Sequence, residues 1–442
     1  MQMAIKRNRN GAVLVPQGES RGVGLPAGYA CVRSLGKRGI PTIVSSKKGG
    51  VPEGVSRYCD ETVTVPAPQE DLLAYKDALL GIATRPDVGT IVPILEEDIY
   101  ILSKYWDEFE HYVSLVTPSL DTLRSVHDRL RLTRIATKAG VPAPGTWLLD
   151  NVPDWDRDLL IKSRYNILTD GYVESFSPSE SDTVKTQTHL QSGERPDFDD
   201  VREEMSHTPI VQEFVPRAKE YMFTALYYHG EPLATFQHQQ IRGNSYVGAG
   251  GVYRESVYLP ELEGVARRLL DQLDWHGLAC IEYMEDATTG EFKVAEINPR
   301  MWQSSLATAR MGADFPYWYW LQAQGRKERI EPGYDLGVGC HYLKGELSYL
   351  VSLFRDESSL VERPKLPRTS WDMFSSFCRH PRCDYLRFDD PMPFLYDVVR
   401  NVRGQRASPS DRIETDEKTV LDEPDPLMNT ATDGGADIED EV

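Results

Sequence analysis

The chain has 442 residues, of which 40% are hydrophobic and 26% are charged, so it is long enough for two or three globular domains. Its formal net charge of −19 disfavours the phosphate backbone of a nucleic acid or an anionic membrane as a partner. A high-salt cytoplasm, in which acidic surfaces stay hydrated, would account for this charge, but composition alone does not establish such an environment.

The segment of residues 1–10 is basic, but no apolar stretch of the kind found in a signal peptide follows it, and no window approaches eighteen apolar residues. The six cysteines are scattered, which predicts free thiols in a reducing compartment. The group Cys378, His380 and Cys383 lacks the tight Cys-x-x-Cys pair of a zinc site, so we expect free thiols and a surface histidine there. We therefore predict a cytoplasmic protein with neither a nucleic-acid nor a membrane partner.

The first 117 residues alternate between strand-like and helix-like segments. Strands are predicted at 11–16, 41–45, 61–65, 90–94 and 112–117, and helices at 26–37, 71–84 and 96–105. Alternation of this kind is typical of βαβ units with a parallel sheet. The sequence therefore predicts a doubly wound α/β domain that closes near residue 117.

A glycine-rich turn follows the first strand. Gly22, Gly24 and Gly28 are spaced one residue too far apart for the dinucleotide fingerprint, and no acid closes the second strand, so nicotinamide binding is disfavoured. The turn either packs against the sheet or helps to hold a substrate other than a nucleotide. Arg21 and the glycine amides would then offer a site for an anion.

The middle of the chain starts with a helix at 119–140, which ends in Gly-Val-Pro-Ala-Pro. A buried strand at 158–163 and a long polar loop at 164–182 come next, and we interpret the loop as a mobile lid. The segment 208–228 then contains an apolar strand, a turn and a second strand.

Two short strands, 279–284 and 293–300, are joined by a polar hairpin at 286–290. Alternation places Glu282 on one face of the first strand, and Glu296 and Asn298 on one face of the second. These three oxygen ligands suit Mg²⁺, which takes one or two carboxylates together with substrate phosphates. Arg300 returns to the same side, where its guanidinium would bind a phosphoryl or carboxylate oxygen.

The pattern Glu-x-Asn-Pro-Arg, with a lone acid fourteen residues upstream, resembles the metal-binding end of ATP-grasp ligases. The resemblance extends over roughly residues 118–325. It implies an α/β protein in which a Rossmann-like domain (1–117) precedes a two-subdomain, α+β ATP-grasp domain (118–330, lid subdomain about 145–208). The chain would be completed by a C-terminal region (331–404) of unknown role and by an acidic tail (405–442), which we expect to be disordered.

The resemblance also implies which residues bind ATP. Lys162 matches the strand lysine that neutralises phosphate oxygens, and Arg129 stands where the family has a second phosphate-binding lysine. The hinge that holds adenine corresponds to Glu213, Phe214 and Val215, and Glu220 matches the acid that binds the ribose hydroxyls. Mg²⁺, or Mn²⁺ in its place, would be held by Glu282, Glu296 and Asn298.

Arg242 opens a segment that contains Gly248, Gly250 and Gly251. Exposed amides of these glycines would receive an oxyanion, and Arg242 would stabilise an acyl-phosphate transition state. Loop flexibility explains the glycines equally well. With Arg300, Arg242 is our predicted catalytic residue.

Within the superfamily the chain looks most like the carboxylate–amine ligases. This likeness implies that ATP phosphorylates a small-molecule carboxylate and that an amine then displaces phosphate to form an amide. Dimers are common among such relatives, so a homodimer is one option, and the oligomeric state stays open. Two alternatives stay open: a carboxylase or another carboxylate-activating ligase, and a nucleotide-binding regulator without turnover, which the substitution of Arg129 for lysine favours.

Overall fold

The computed structural model describes residues 11–17, 26–47, 50–248, 250–356 and 361–404, with side chains up to residue 400. Arg21, Gly22 and Gly24 of the glycine-rich turn and the acidic tail lie outside the described residues, so the interpretations that rest on them stay predictions. In the described ranges no helix is both long and apolar enough to cross a membrane.

The first layer is a four-stranded parallel sheet in the order β3-β2-β1-β4, with β1 buried along its whole length. Its strands are β1 Ala12–Gln17, β2 Thr42–Ser46, β3 Glu61–Thr64 and β4 Val88–Ile91. The helices that belong to it are α1 Pro26–Gly36, α2 Leu72–Ala83, α3 Glu96–Lys104 and α4 Trp106–Phe109. The predicted parallel α/β layer is therefore confirmed.

The predicted strand at 112–117 is wrong. The segment pairs with β4 through a single bridge, Thr90 to Ser114, held by the Thr90 hydroxyl on the Ser114 carbonyl at 2.6 Å. Beyond it, the chain runs close to Gly277: a Cβ on that glycine would lie 2.6 Å from the Val116 carbonyl oxygen. The segment therefore leaves the sheet to contact another part of the molecule.

The predicted helix at 119–140 is two helices, α5 Leu120–His127 and α6 Arg129–Lys138, separated at Asp128. Asp128 has an extended backbone, and its Oδ1 accepts hydrogen bonds from the amides of Leu130 and Arg131 at 3.0 and 3.2 Å. It is thus an N-cap in the middle of the segment, and such a cap competes with a continuous helix.

A small antiparallel sheet follows, in the order β5-β8-β6-β7. Its strands are β5 Thr146–Leu148, β6 Leu159–Lys162, β7 Gln187–Leu190 and β8 Ile210–Glu213, with α7 Phe198–Met205 between the last two. One face packs into a core of its own that includes Leu159, Ile161 and Val211. The small sheet therefore has a hydrophobic core separate from those of the other layers, and its movement as a lid stays a prediction.

The largest sheet has six strands in the order β13-β12-β9-β10-β11-β14, and every pair in it is antiparallel. The strands are β9 Arg217–Tyr228, β10 Glu231–Gly243, β11 Gly251–Ser256, β12 Gly277–Asp286, β13 Phe292–Asn298 and β14 Gly339–His341, and α8 Pro260–Gln272 links β11 to β12. Odd-numbered residues of β9 and β12, such as Phe223 and Ile281, belong to one core with α8 and helices of the first layer. The even-numbered residues are therefore left for the opposite face.

Five helices complete the described chain: α9 Ser305–Arg310, α10 Phe315–Ala323, α11 Leu343–Arg355, α12 Leu366–Arg379 and α13 Met392–Gly404. The segment before α13 returns to α1, where Asp390 accepts a hydrogen bond from the Tyr29 hydroxyl at 2.9 Å and Asp389 binds Arg33 at 2.7 Å. The segment before α13 is thus joined to the first layer, whereas α11 packs against β10 and β11 of the large sheet.

Candidate nucleotide and metal site

The strand pair β12–β13 places the predicted metal ligands on one face of the large sheet. Glu282 lies directly opposite Glu296, and Cys280 lies opposite Asn298. The turn that sets this register is local: Asp286 Oδ1 accepts a hydrogen bond from the Thr288 amide at 2.8 Å, and its Oδ2 binds Lys293 at 2.7 Å. The hairpin prediction is confirmed, and with it the convergence of Glu282, Glu296 and Asn298.

The two carboxylates differ in their surroundings. Glu296 is engaged, because Arg129 binds its Oε2 at 3.0 Å and the Asn298 amide donates to its Oε1 at 2.9 Å. Burial alone would raise the pKa of Glu296, but Arg129 and Asn298 hold it below its ordinary value. For Glu282, burial and the carboxylates of Glu296 and Glu220 raise the pKa to about 8.

The carboxylate of Glu282 makes no hydrogen bond or ion pair with the residues that the structure describes. Removing a carboxylate from water beside a second carboxylate is unfavourable unless a proton or a cation compensates it. The donor set of two carboxylates and an amide oxygen fits a hard divalent cation that keeps part of its water shell. Within the described chain, no group of three His, Cys, Asp or Glu forms a metal cage, so substrate oxygens would have to complete this site.

Positive charge from two other elements faces the acids. Arg129, the first residue of α6, donates to the carbonyls of Ser163 and Tyr165 at 3.0 Å each, in addition to its ion pair with Glu296. Lys162 ends β6, and burial together with Arg129 lowers its pKa to about 8. The ammonium of Lys162 has no hydrogen bond or ion pair among the described residues. An unpaired lysine and an unpaired glutamate in one site match the charges of a phosphate and its metal ion.

Arg300 reaches the same face but is held from outside the hairpin. Its Nε donates to Glu96 Oε1 at 2.6 Å, and its side chain also contacts Asn298 Oδ1 at 3.4 Å. Burial would raise the pKa of Glu96, but Arg300 and His127 hold it down at about 2. Glu96 was not among the site residues predicted from the sequence, although it lies in the first turn of a helix that follows a parallel strand.

The predicted hinge lies between β8 and β9. The Phe214 amide donates a hydrogen bond to the Asp158 carbonyl at 3.1 Å, and the Glu213 carboxylate accepts one from the Gly145 amide at 3.2 Å. The Val215 amide, by contrast, donates no hydrogen bond within the described residues. The hinge therefore offers a main-chain donor at Val215, as an adenine edge requires.

Glu220 lies in β9, next to Met284 of β12, on the face that carries Glu282. It pairs with Arg217. Its charge contributes to the raised pKa of Glu282, which places the predicted ribose acid beside the metal acids.

Arg242 is the predicted residue that the structure does not bring to the acids. It lies near the end of β10, where its Nη1 binds both oxygens of Glu346 at 2.9 and 2.7 Å. Its guanidinium also lies over the rings of Tyr253 and Tyr349, at 5.4 and 5.7 Å from their centroids. In this structure Arg242 ties β10 to α11, and its catalytic role stays a prediction.

Comparison with solved structures shows which fold this is. The chain is similar to an L-amino acid ligase from Bacillus licheniformis, with 14% identity and a TM-score of 0.52 over 74% of this chain and 78% of the other. It is also similar to the biotin carboxylase domain of the 2-oxoglutarate carboxylase from Hydrogenobacter thermophilus, solved with MgADP and bicarbonate, with 12% identity and a TM-score of 0.53 over 74% and 73%. The resemblance to the ATP-grasp fold is thereby confirmed.

A third similar structure, the pyruvate carboxylase from Rhizobium etli, has 17% identity and a TM-score of 0.53 over 75% of this chain. This chain spans only 30% of that longer protein. No protein-family model matches the sequence, and no curated protein matches it. At these identities the comparisons identify the fold, and the reaction has to be argued from the site.

Proposed function

We propose that this ATP-grasp protein is a ligase that uses ATP and Mg²⁺, with Mn²⁺ as a substitute, to activate a small-molecule carboxylate as an acyl phosphate and join it to an amine. The observation that carries the proposal is the unpaired Glu282 facing Glu296, with the unpaired Lys162 nearby. Phosphoryl transfer requires positioning and charge neutralisation rather than a protein nucleophile.

Each part of the site has a role in this proposal. Glu282, Glu296 and Asn298 would hold the metal ion, which supplies charge neutralisation at the phosphates when bound. Lys162 and Arg129 bind phosphate oxygens from the lid side. Arg300, positioned by Glu96, stabilises negative charge on the transferred group or on the carboxylate substrate.

The hinge would bind the nucleoside. The free amide of Val215 would donate a hydrogen bond to an acceptor on the purine, next to the main-chain groups of Glu213 and Phe214. Glu220 would accept hydrogen bonds from the ribose hydroxyls. The lid sheet, which contains β6 and Lys162, would then close over the phosphates and exclude water.

The direct test is calorimetry of ATP binding with and without Mg²⁺, in low and in molar salt. We expect the parent to bind only with Mg²⁺, and Glu296→Ala and Glu220→Ala to weaken binding at least tenfold, as loss of a charged hydrogen bond does. Glu231→Ala, an exposed acid paired with Lys327, is the matched control and should bind as the parent does. A folded parent that binds no ATP in any salt contradicts the proposal.

Release of ADP with a pool of carboxylates and amines identifies the reaction. A bicarbonate arm without amine tests the carboxylase alternative, which has support because two of the similar structures are a carboxylase and a carboxylase domain. Binding without ADP release in every arm would favour the regulator. We also propose a homodimer, supported by an exposed apolar face on the C-terminal helices.

A further inference from the structure

Three arginines lie close together where α1, α9 and the segment between α12 and α13 meet. Arg33 belongs to α1, Arg310 is the last residue of α9, and Arg387 precedes α13. Arg33 and Arg387 are 8% and 9% exposed, and Arg310 is half-buried. Helix α1 packs against α9, and α9 packs against β14. The guanidinium of Arg387 lies close enough to those of Arg310 and Arg33 to be affected by their charges, so the three belong to one region.

Two of these guanidiniums have no ion-pair partner. Among the described residues, the side chains of Arg310 and Arg387 make neither a hydrogen bond nor an ion pair. The Nε atoms of both are buried without an acceptor, and so is Nη1 of Arg33. Three donors from three parts of the fold are therefore left open in the same region.

Three acids of the segment 384–390 already have partners. Asp389 binds Arg33 at 2.7 Å, and Asp384 binds Arg254 at 3.3 Å. Asp390 accepts hydrogen bonds from the hydroxyls of Tyr29 and Ser56 at 2.9 and 2.6 Å. None of the three makes an ion pair with Arg387, although the charge of Arg387 offsets part of the rise that burial causes in the pKa of Asp384.

Such an arrangement is unfavourable without a further partner. Burial and the guanidiniums of Arg310 and Arg33 lower the pKa of Arg387 to about 10. Because arginine does not give up its proton near neutral pH, the charge remains and repels its neighbours. A buried unpaired charge is among the costliest features that a fold tolerates.

The region that contains the three arginines is separate from Glu282 and Glu296, the predicted metal ligands. Arg310, Arg254 and Arg387 all lie near enough to the Cys340 thiol of β14 to influence its pKa. Cys340 lies opposite Arg254 of β11. Strand β11 lies three strands from β12, which carries Glu282, and three strand spacings amount to about 14 Å.

We propose that Arg310 and Arg387 form a binding site for an oxyanion, a carboxylate or a phosphate group, with the free Nη1 of Arg33 as a third donor. The planar fork of a guanidinium matches both groups, and two forks from different elements would enclose the anion. The bound anion would join the first layer, α9 and the C-terminal segment. None of these residues takes part in the proposed nucleotide site, so either proposal stands if the other fails.

The test is titration of the full chain with inorganic phosphate and, separately, with acetate, by calorimetry at ionic strength held constant with NaCl. We expect saturable binding of one anion to the parent, and binding at least tenfold weaker in Arg310→Gln and in Arg387→Gln. The matched control is Arg368→Gln, an exposed arginine of α12, which should bind as the parent does. The anion that binds identifies the chemistry of the group.

Thermal melting keeps the test decisive if Arg387→Gln folds poorly. Phosphate or acetate should raise the melting temperature of the parent and of Arg368→Gln but not of Arg310→Gln, whose half-exposed side chain leaves room for the substitution. A melting temperature that responds equally in the parent and in Arg310→Gln overturns the proposal. So does the absence of any binding to the parent by either anion.

Discussion

Glu282 and Lys162 show how two single residues prepare a site for charged partners. Both have a pKa of about 8, Glu282 because its charge is disfavoured by burial and neighbouring acids, and Lys162 because its charge is disfavoured by burial and Arg129. Each regains its charge when a partner of opposite charge binds. The proton changes have opposite signs. Glu282 releases a proton to the solvent when a cation binds, and Lys162 takes up a proton from the solvent when a phosphate binds.

We therefore predict that the two contributions nearly cancel when Mg·ATP binds to the parent at pH 8. In Lys162→Met only the loss remains, so binding should release up to one proton below pH 8 and none above pH 9. In Glu282→Gln only the gain remains, so binding should take up a proton near pH 9 and none at pH 6. Calorimetry in buffers of different ionisation enthalpy measures both numbers, and equal proton changes in the two variants would contradict the prediction.

Glu96 stabilises the site from the first layer. Its pKa is held at about 2 by Arg300 and His127, so its ionised form contributes stability above its ordinary pKa, and this contribution is lost as the pH falls towards 2. We predict that Glu96→Gln lowers the free energy of unfolding by about 3 kcal/mol at neutral pH, because one pKa unit corresponds to about 1.4 kcal/mol.

The matched control for Glu96 is its neighbour. Burial raises the pKa of Glu97 to about 7, so the protonated form is already favoured and Glu97→Gln should cost little. Urea unfolding from pH 7 to pH 3 should show a constant deficit for Glu96→Gln above about pH 5 and a smaller one below pH 4. A deficit that does not change with pH would mean that shape rather than charge holds Arg300.

At the scale of elements, Asp128 decides where a helix stops and the site begins. It caps α6 with Oδ1, and its Oδ2 binds Arg164 at 2.6 Å, so it also ties α6 to the loop that follows β6. The next residue is Arg129, which binds Glu296. The cap thus helps to position Arg129, the predicted phosphate-binding residue, against Glu296, a predicted metal ligand.

We predict that Asp128→Ala lowers stability by about 3 kcal/mol, from the lost cap and the broken buried ion pair, and weakens Mg·ATP binding severalfold. Asp128→Asn keeps a good capping side chain and loses only the charge. It should recover nucleotide affinity more than stability. Thermal melting and calorimetry of the two variants test this, and equal affinities in both would show that the cap does not position Arg129.

At the scale of the whole molecule, apolar exposure is concentrated in one region. Of the fifteen large hydrophobic residues that are exposed in the described chain, eleven lie in α11, α12, α13 or just before α13. They are Leu347, Val351, Phe354, Leu366, Trp371, Phe374, Phe388, Met392, Leu395, Val398 and Val399. We call these eleven residues the C-terminal face; four of them are aromatic, and at about 150–250 Å² each the four would bury roughly 600–1,000 Å² if a partner covered them. A stable interface needs about 800 Å² on each partner.

A second copy of the chain is the partner that fits this face. Residues 343–404 contain ten basic and nine acidic side chains, a net charge of +1, whereas the rest of the chain carries −20. Two copies would therefore repel each other least through the C-terminal helices. A membrane surface fits less well, because balanced charge offers little attraction to anionic lipid.

We predict a dimer in solution whose dissociation constant rises at least a hundredfold in the double variant Trp371→Ser/Phe374→Ser, because buried aromatic residues dominate interface energies. Tyr258→Ser, an equally exposed aromatic outside this face, should leave the dimer intact. Light scattering after size exclusion, in low and in molar salt, measures the mass. A monomeric parent in both salts would refute the interface.

The sequence alone determined the features that depend on neighbours along the chain. Period-two alternation and a short turn placed Glu282, Glu296 and Asn298 together, and the strand–turn–strand pattern at 208–228 is present as β8 and β9. The role of its turn as an adenine hinge stays a prediction. The parallel first layer followed from alternating strands and helices. In each case the geometry is set by a few consecutive residues, so spacing suffices to predict it.

Tertiary structure decided the rest. The helix break at Asp128 combines a local cap with an ion pair to Arg164, and the segment predicted as a strand at 112–117 makes a single bridge to β4 before it runs close to Gly277. Glu96 reaches Arg300 from another layer, Arg242 is held by Glu346, and Arg310 meets Arg387 from elements far apart in the chain. Such contacts depend on which elements the topology brings together, and their energies depend on burial, a property that only the folded chain has.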